Sequence, residues 1–237
     1  MINVAVINAT TILLDDLVAA QVAAVQVQID RDWTPVWGIP ARLTFVERGA
    51  PPPGAAWWLT MLDTADAAGA LGYHDLTTEG LPLGKVFAAT TIHAGDLVSV
   101  TLSHEVLEIL ADPDVNLLVQ EGTRFYAYEV CDPVEADTFG YDIDNLRVSD
   151  FVLPAYFETV TAHPPGTKWD FAGKLAGPLP TMLAGGYLAY LEHGTWTQDT
   201  ARATPAKMYR ALPQLGSRRY RRTLPPYARY RSTVACR

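Results

Sequence analysis

Three side chains in the segment Ser-His-Glu-Val-Leu-Glu, residues 103–108, could bind and use a metal ion. On a helix, residues four apart lie on one face, so His104 and Glu108 can direct an imidazole nitrogen and a carboxylate oxygen to the same ion. Glu105 follows His104 and can reach a water bound to that ion. Zinc accepts both ligand types, and three protein ligands plus one water leave the open position that hydrolysis requires.

The chain around these residues has the pattern of a mostly buried helix. Apolar residues recur through residues 96–111, and after Gly95 no Gly or Pro interrupts the chain until Pro113. This pattern predicts a helix that ends near Asp112. The string His-Glu-x-x-Glu also occurs by chance, and on a surface helix it would only add solubility. On a buried helix, however, carboxylates are costly unless they are paired or bind a metal.

A second acidic segment, Glu-Val-Cys-Asp-Pro-Val-Glu at residues 129–135, supplies candidates for the third ligand. Aromatic and β-branched residues lead into it, which predicts a strand at its start. Glu129 is the favoured third ligand, and Asp132 is the close alternative. Asp112 and Asp114 are further candidates, although a turn after the helix accounts for them better.

Together the two motifs resemble those of zincin-type metallopeptidases, especially bacterial and phage proteins with a His-Glu-x-x-Glu variant. The resemblance implies a role for each matching position: a zinc ligand at His104, a general base at Glu105, a second ligand at Glu108 and a third within residues 129–132. The sequence departs from the pattern where Glu108 replaces the second His and where Ala111 replaces the Gly of metzincins. A site rich in carboxylates makes its bound water less acidic, or suits a divalent metal harder than zinc.

The resemblance and the order of predicted elements together give an α+β fold: a zincin-like mixed sheet with an active-site helix, followed by a basic arm. Residues 1–200 form the predicted domain, with an upper lobe of about 1–112 and a lower lobe of about 113–200. Strands are predicted at residues 3–8, 41–47, 57–62, 85–91 and 186–196. In zincins the strand before the active-site helix borders the substrate cleft, which makes residues 86–91 the predicted substrate edge.

Tyr141 is the candidate for stabilising an oxyanion, because zinc peptidases often polarise the substrate carbonyl with a phenol or imidazole. It lies in a polar loop beyond the acidic segment, whereas Tyr126 and Tyr128 belong to a predicted strand, where aromatic residues more often form the core. His74 and His93 lie in predicted loops. A lone histidine there is usually structural or exposed, so neither is assigned a role.

The composition of the chain indicates where in the cell it is located. Cys131 and Cys236 are the two cysteines of the chain, which favours a reducing environment over a disulfide framework. Residues 1–9 are apolar but lack the basic start of a signal peptide, and no apolar run is long enough to cross a membrane. The predicted location is therefore the cytoplasm or a virion.

Residues 201–237 differ in charge from the rest of the chain. They hold ten of the eighteen Lys and Arg and no Asp or Glu, so this basic arm carries about +10 and residues 1–200 about −18. Arg mixed with Tyr suits docking onto an acidic protein surface, including another copy of this chain. Nucleic acid is a weaker candidate, because the acidic body would repel a duplex. The arm therefore predicts a homo- or hetero-oligomeric assembly.

Two functions follow from these features. The first is a metal-dependent peptidase, with zinc or another divalent ion, in which Glu105 takes a proton from a metal-bound water that attacks a peptide carbonyl. The second is a structural or assembly protein of a phage virion, built on a zincin-like fold with a vestigial or structural metal site.

Overall fold

The structure, a computed structural model, describes residues 1–67, 70–158 and 162–201. Helices and sheets are both present, which confirms the predicted α+β class. The predicted basic arm lies outside the described residues apart from Ala201. Within the described ranges, none of the helices has the length and apolar character needed to span a bilayer.

The helices and strands alternate in the first half of the chain, and strands dominate the second half. The α-helices are α1 (Asp15–Gln28), α2 (Thr34–Trp37), α3 (Ala88–Ala94) and α4 (Val98–Ala111), and a π-helical turn (Ile29–Trp33) joins α1 to α2. The strands are β1 (Ile2–Asn8), β2 (Ala41–Val46), β3 (Trp57–Leu62), β4 (Gly72–Leu76), β5 (Pro82–Phe87), β6 (Leu118–Glu121), β7 (Arg124–Ala127), β8 (Tyr141–Ile143), β9 (Leu146–Val148), β10 (Tyr187–Glu192) and β11 (Thr195–Thr200).

A five-stranded sheet in the order β2-β1-β3-β5-β4 organises the first half. Strands β1, β2, β3 and β5 run parallel, and β4 pairs antiparallel with β5 at the edge. Three consecutive residues of β1, Val4 to Val6, are fully buried, as expected for a parallel strand covered on both faces. Helix α4 packs against β4 and β5, which places its side chains beneath this edge of the sheet.

All fourteen residues of α4 are buried, and the helix ends at Ala111, next to Asp112, close to where its sequence predicts. A buried polar network fixes its position. The Ser103 hydroxyl donates to Gln28 Oε1 of α1 at 2.7 Å and accepts from the Ser149 backbone N–H at 3.0 Å. Gln28 Nε2 in turn donates to the Ser149 carbonyl at 2.8 Å. Satisfied buried polar groups of this kind hold one arrangement, so the residue next to His104 is anchored.

The prediction for residues 85–91 was wrong in its bounds and in its position. The strand is β5, which ends at Phe87, and the following residues form α3. A turn closed by the Thr77 N–H and the Leu81 carbonyl reverses the chain after β4 and inserts β5 between β3 and β4. The predicted substrate edge at residues 86–91 is therefore corrected, because β4 forms the edge of the sheet.

The stretch at residues 186–196 is also different from its prediction of one strand. It contains β10 and the start of β11, which pair as an antiparallel hairpin. His193 and Gly194 form the turn with φ angles of 49° and 78°. Such left-handed residues permit the tight reversal that a two-residue hairpin loop requires.

Candidate metal centre

His104, Glu108 and Asp132 bring three potential ligand atoms together in the interior. His104 Nε2 lies 3.2 Å from Glu108 Oε1 and 3.2 Å from Asp132 Oδ1. All three ligand atoms lie within 4.8 Å of one another, and we call these residues the His104 group. Atoms that bind zinc tetrahedrally at about 2.0–2.1 Å are about 3.3–3.4 Å apart, close to the observed distances.

The helix and one short turn account for this convergence. His104 and Glu108 lie one turn apart on α4, as the motif spacing predicts. After β7 the chain enters a 3₁₀ turn (Asp132–Val134) that begins with Asp132. The Pro133 carbonyl accepts the Leu183 N–H at 2.8 Å and fixes the turn against the later part of the chain.

Glu129, the favoured third ligand from sequence, is 3% exposed but belongs to neither group of potential ligands in the described residues. Strand β7 ends at Ala127, so the predicted strand does not extend to Glu129. The backbone turns before Asp132 and points that carboxylate at His104. The structure thus brings together His104, Glu108 and Asp132, and metal binding by any of them stays a prediction.

A second group shares Glu108. His74 Nδ1 lies 3.4 Å from Glu108 Oε2 and 3.9 Å from Glu105 Oε2. His74, Glu105 and Glu108 form the second set of potential ligands, which we call the His74 group. His74 has no predicted role, because the sequence pattern predicts a loop in its region. The turn residues Thr-Thr-Glu-Gly between two short apolar segments could have indicated the β4–β5 hairpin.

No family model, curated protein or solved structure matches this chain.

Protonation and metal binding compete at His104. Burial lowers the pKa of His104, but the carboxylates of Glu108, Asp132 and Glu105 outweigh burial and hold the pKa well above its ordinary value. A ligating imidazole nitrogen has to be free of its proton, so metal binding would displace a proton from this side chain. Burial, reinforced by Glu108, raises the pKa of the nearby Cys131 thiol, which therefore stays protonated.

Tyr141 lies in neither group. Its hydroxyl donates to Asp32 Oδ2 at 2.9 Å and accepts from Gln28 Nε2 at 3.0 Å. Burial, with the adjacent Asp32 carboxylate, raises the pKa of Tyr141 far above its ordinary value. Tyr141 lies in β8 and not in a loop, and these contacts connect its hydroxyl to α1 and to the π-helical turn that follows α1. Its assignment as an oxyanion donor stays a prediction.

Asp112 and Asp114 occupy the turn after α4. Asp112 Oδ1 and Oδ2 accept the backbone N–H groups of Asn116 and Leu117 at 3.0 and 3.1 Å. Asp114 is exposed. Neither belongs to the two groups, and the hydrogen bonds of Asp112 are those of a turn.

Gly72 is expected to be required for the position of Glu105. A Cβ atom at Gly72 would lie 2.7 Å from Glu105 Cγ and 2.9 Å from the Lys85 carbonyl oxygen. We expect Gly72→Ala to displace Glu105 and lower the free energy of unfolding by about 1–3 kcal/mol, because Glu105 is buried and the Lys85 oxygen belongs to the backbone of β5. Denaturant unfolding measures this change. Gly54→Ala is the matched control, since nothing lies within 4 Å of its added Cβ, and equal effects of both variants would contradict the prediction.

Proposed function

We propose that this chain is a metal-dependent hydrolase of the zincin type that cleaves peptide bonds, with its ion held by the His104 group. The convergence of three buried ligand atoms, one from each of His104, Glu108 and Asp132, is the observation that carries the proposal. Glu105, the residue after His104, gives the same helix a carboxylate suited to proton transfer. The mixed five-stranded sheet with α4 packed under its edge supports the zincin assignment.

The donor set fits a divalent ion. One imidazole and two carboxylates are ligands that zinc accepts, and a carboxylate-rich set also suits a harder divalent metal. Glu108 and Asp132 are 0% and 1% exposed, and buried carboxylates are stable only when their charge is compensated. A bound zinc ion would supply Lewis acidity, which lowers the pKa of a coordinated water and polarises a carbonyl.

Glu105 has the features of a general base. It is 3% exposed, and its Oε2 atom is buried and accepts no hydrogen bond from any residue that the structure describes. A carboxylate with a free acceptor can take a proton from the attacking water and deliver it to the leaving nitrogen. Low exposure to solvent strengthens the electrostatic interactions that guide this transfer.

Metal analysis of the purified protein tests the proposal. We expect at least about one divalent ion per chain in the wild type, and loss of the ion of the His104 group in His104→Ala, because two carboxylates alone bind zinc weakly. His93→Ala is the matched control, since His93 is an exposed histidine of α3. A wild-type protein that takes up no divalent ion when supplied with zinc would rule the proposal out.

A second candidate function is favoured by the burial of the ligands. His104 is the most exposed residue of its group, at 7%, and structural zinc sites are closed whereas catalytic sites keep an open position. In this alternative the ion stabilises a structural or assembly protein, such as a phage virion component, and residues 201–237 dock onto another subunit. Loss of the fold on chelation, without peptide cleavage in the metal-bound protein, would favour it. An assembly state that survives truncation after Thr200 would exclude the docking arm.

A further inference from the structure

Glu108 is placed between two histidines. Its Oε1 atom faces His104 Nε2 at 3.2 Å, and its Oε2 atom faces His74 Nδ1 at 3.4 Å. The carboxylate is fully buried, so both oxygen atoms are committed to the protein interior. A carboxylate that presents one oxygen to each of two ligand groups has the arrangement of a bridging ligand.

The two groups are built alike. Each offers one imidazole nitrogen and two carboxylate oxygens, with the ligand atoms of each group within 4.8 Å of one another. His74 comes from the edge strand β4, His104 and both glutamates come from α4, and Asp132 comes from the turn after β7. Three separate elements therefore converge on Glu108.

The distances at His74 are in the range expected between ligands of one ion. His74 Nδ1 is 3.4 Å from Glu108 Oε2 and 3.9 Å from Glu105 Oε2. Ligands of one zinc ion are about 3.3–3.4 Å apart, and the wider spacing to Glu105 suits a somewhat larger coordination sphere.

Glu105 gives a second, independent indication of a ligand. It is 3% exposed, and its Oε2 atom, which faces His74, accepts no hydrogen bond from the described residues. A Cβ atom at Gly72 would lie 2.7 Å from Glu105 Cγ and 2.7 Å from Oε1, so the glycine leaves the space that this orientation of the carboxylate needs. A buried carboxylate oxygen without a donor is costly, and a cation in the His74 group would remove that cost.

We infer that the site holds two divalent ions bridged by Glu108, the second bound by His74, Glu105 and Glu108. The inference rests on the proposed function, because the first ion is that of the His104 group. Pairs of divalent ions about 3.5–4 Å apart occur in hydrolytic sites, where they act on the attacking and leaving atoms. Glu105 then offers Oε2 to the second ion, and proton transfer falls to its other carboxylate oxygen.

The test is the number of ions bound by the intact chain, measured by titrating metal-free protein with Zn²⁺ and by elemental analysis after dialysis. We expect about two ions per wild-type chain and about one in His74→Gln, because the variant loses a ligand that belongs to one group alone. Exposed His93→Gln is the matched control and keeps the wild-type number. Near-UV circular dichroism shows whether each variant is folded.

Glu105→Gln is the second variant, because it also belongs to the His74 group and not to the His104 group. It is expected to bind about one ion, like His74→Gln, by the same loss of one anionic ligand. One ion in the wild type, unchanged in both variants, would overturn the second site and leave the proposed function standing. Binding of no ion by the wild type would overturn the proposed function, and the second site with it.

Discussion

Glu105→Gln is expected to lower kcat/KM for peptide hydrolysis by about 10²–10⁴-fold or more, because general-base catalysis contributes about that factor. The amide has nearly the same shape but cannot take a proton from water at neutral pH. The ion of the His104 group should stay bound, since Glu105 is not a member of that group. Cleavage of a peptide library, with metal content measured on the same samples, gives both quantities.

Glu121→Gln makes the same chemical change on the exposed end of β6 and is expected to keep wild-type turnover. Equal activity of Glu105→Gln and the wild type would exclude Glu105 as the base. A wild type that binds its ion but cleaves no peptide would favour the structural function instead. The experiment therefore separates a catalytic role of Glu105 from a purely structural role of the centre.

The central helix could be predicted because its signal is local. The apolar repeat and the following Asp112–Pro113 pair define α4, and the i, i+4 spacing alone places His104 and Glu108 on one face. The bounds of strands β1, β2 and β3 agree with their predictions to within one residue for the same reason, since each is a short run of apolar and β-branched residues between turn signals.

The remaining ligands depend on tertiary contacts more than on local patterns. The turn residues at 77–80 could indicate the β4–β5 hairpin, but only the pairing of β5 with both β3 and β4 places His74, a residue of β4, over α4. Glu129 and Asp132 both carry a carboxylate that could bind a metal. Which of them faces His104 depends on where β7 ends and on the direction of the 3₁₀ turn. Tertiary pairing, not propensity, decides such positions.

Asp150 and Asp170 form a buried acidic pair on another part of the fold. Both are 0% exposed. Asp150 Oδ1 accepts the Phe151 and Ala172 N–H groups at 2.8 and 3.0 Å, while the Asp170 oxygens accept the Lys174 and Leu175 N–H groups at 2.8 and 2.9 Å. Burial, reinforced by the neighbouring Asp170 carboxyl, raises the pKa of Asp150 to about 8. Asp150 therefore keeps its proton in the folded protein at neutral pH.

Asp150→Asn is expected to change the pH dependence of stability strongly. In the unfolded chain an Asp has a pKa of about 3.9, so between about pH 4 and pH 8 the folded protein binds one proton more than the unfolded chain. The stability that this proton confers is complete below about pH 4 and is lost as the pH rises towards 8. Asparagine does not titrate and can donate its N–H to Asp170. The stability of the variant therefore does not fall with rising pH for this reason.

The free energy of unfolding of the wild type, relative to Asp150→Asn, should therefore fall by about 3–4 kcal/mol between pH 5 and pH 8. Urea unfolding at steps of half a pH unit measures the difference in unfolding free energy between the two proteins. Groups that titrate in the same way in both proteins cancel in this difference. Asp142→Asn is the control: Asp142 is exposed, and its hydrogen bond with Arg147 lowers the pKa, so its titration lies below this pH range. If the difference in the free energy of unfolding between wild type and Asp150→Asn does not change with pH, Asp150 is ionised in the folded protein. Its charge would then need a compensating cation beside Asp170.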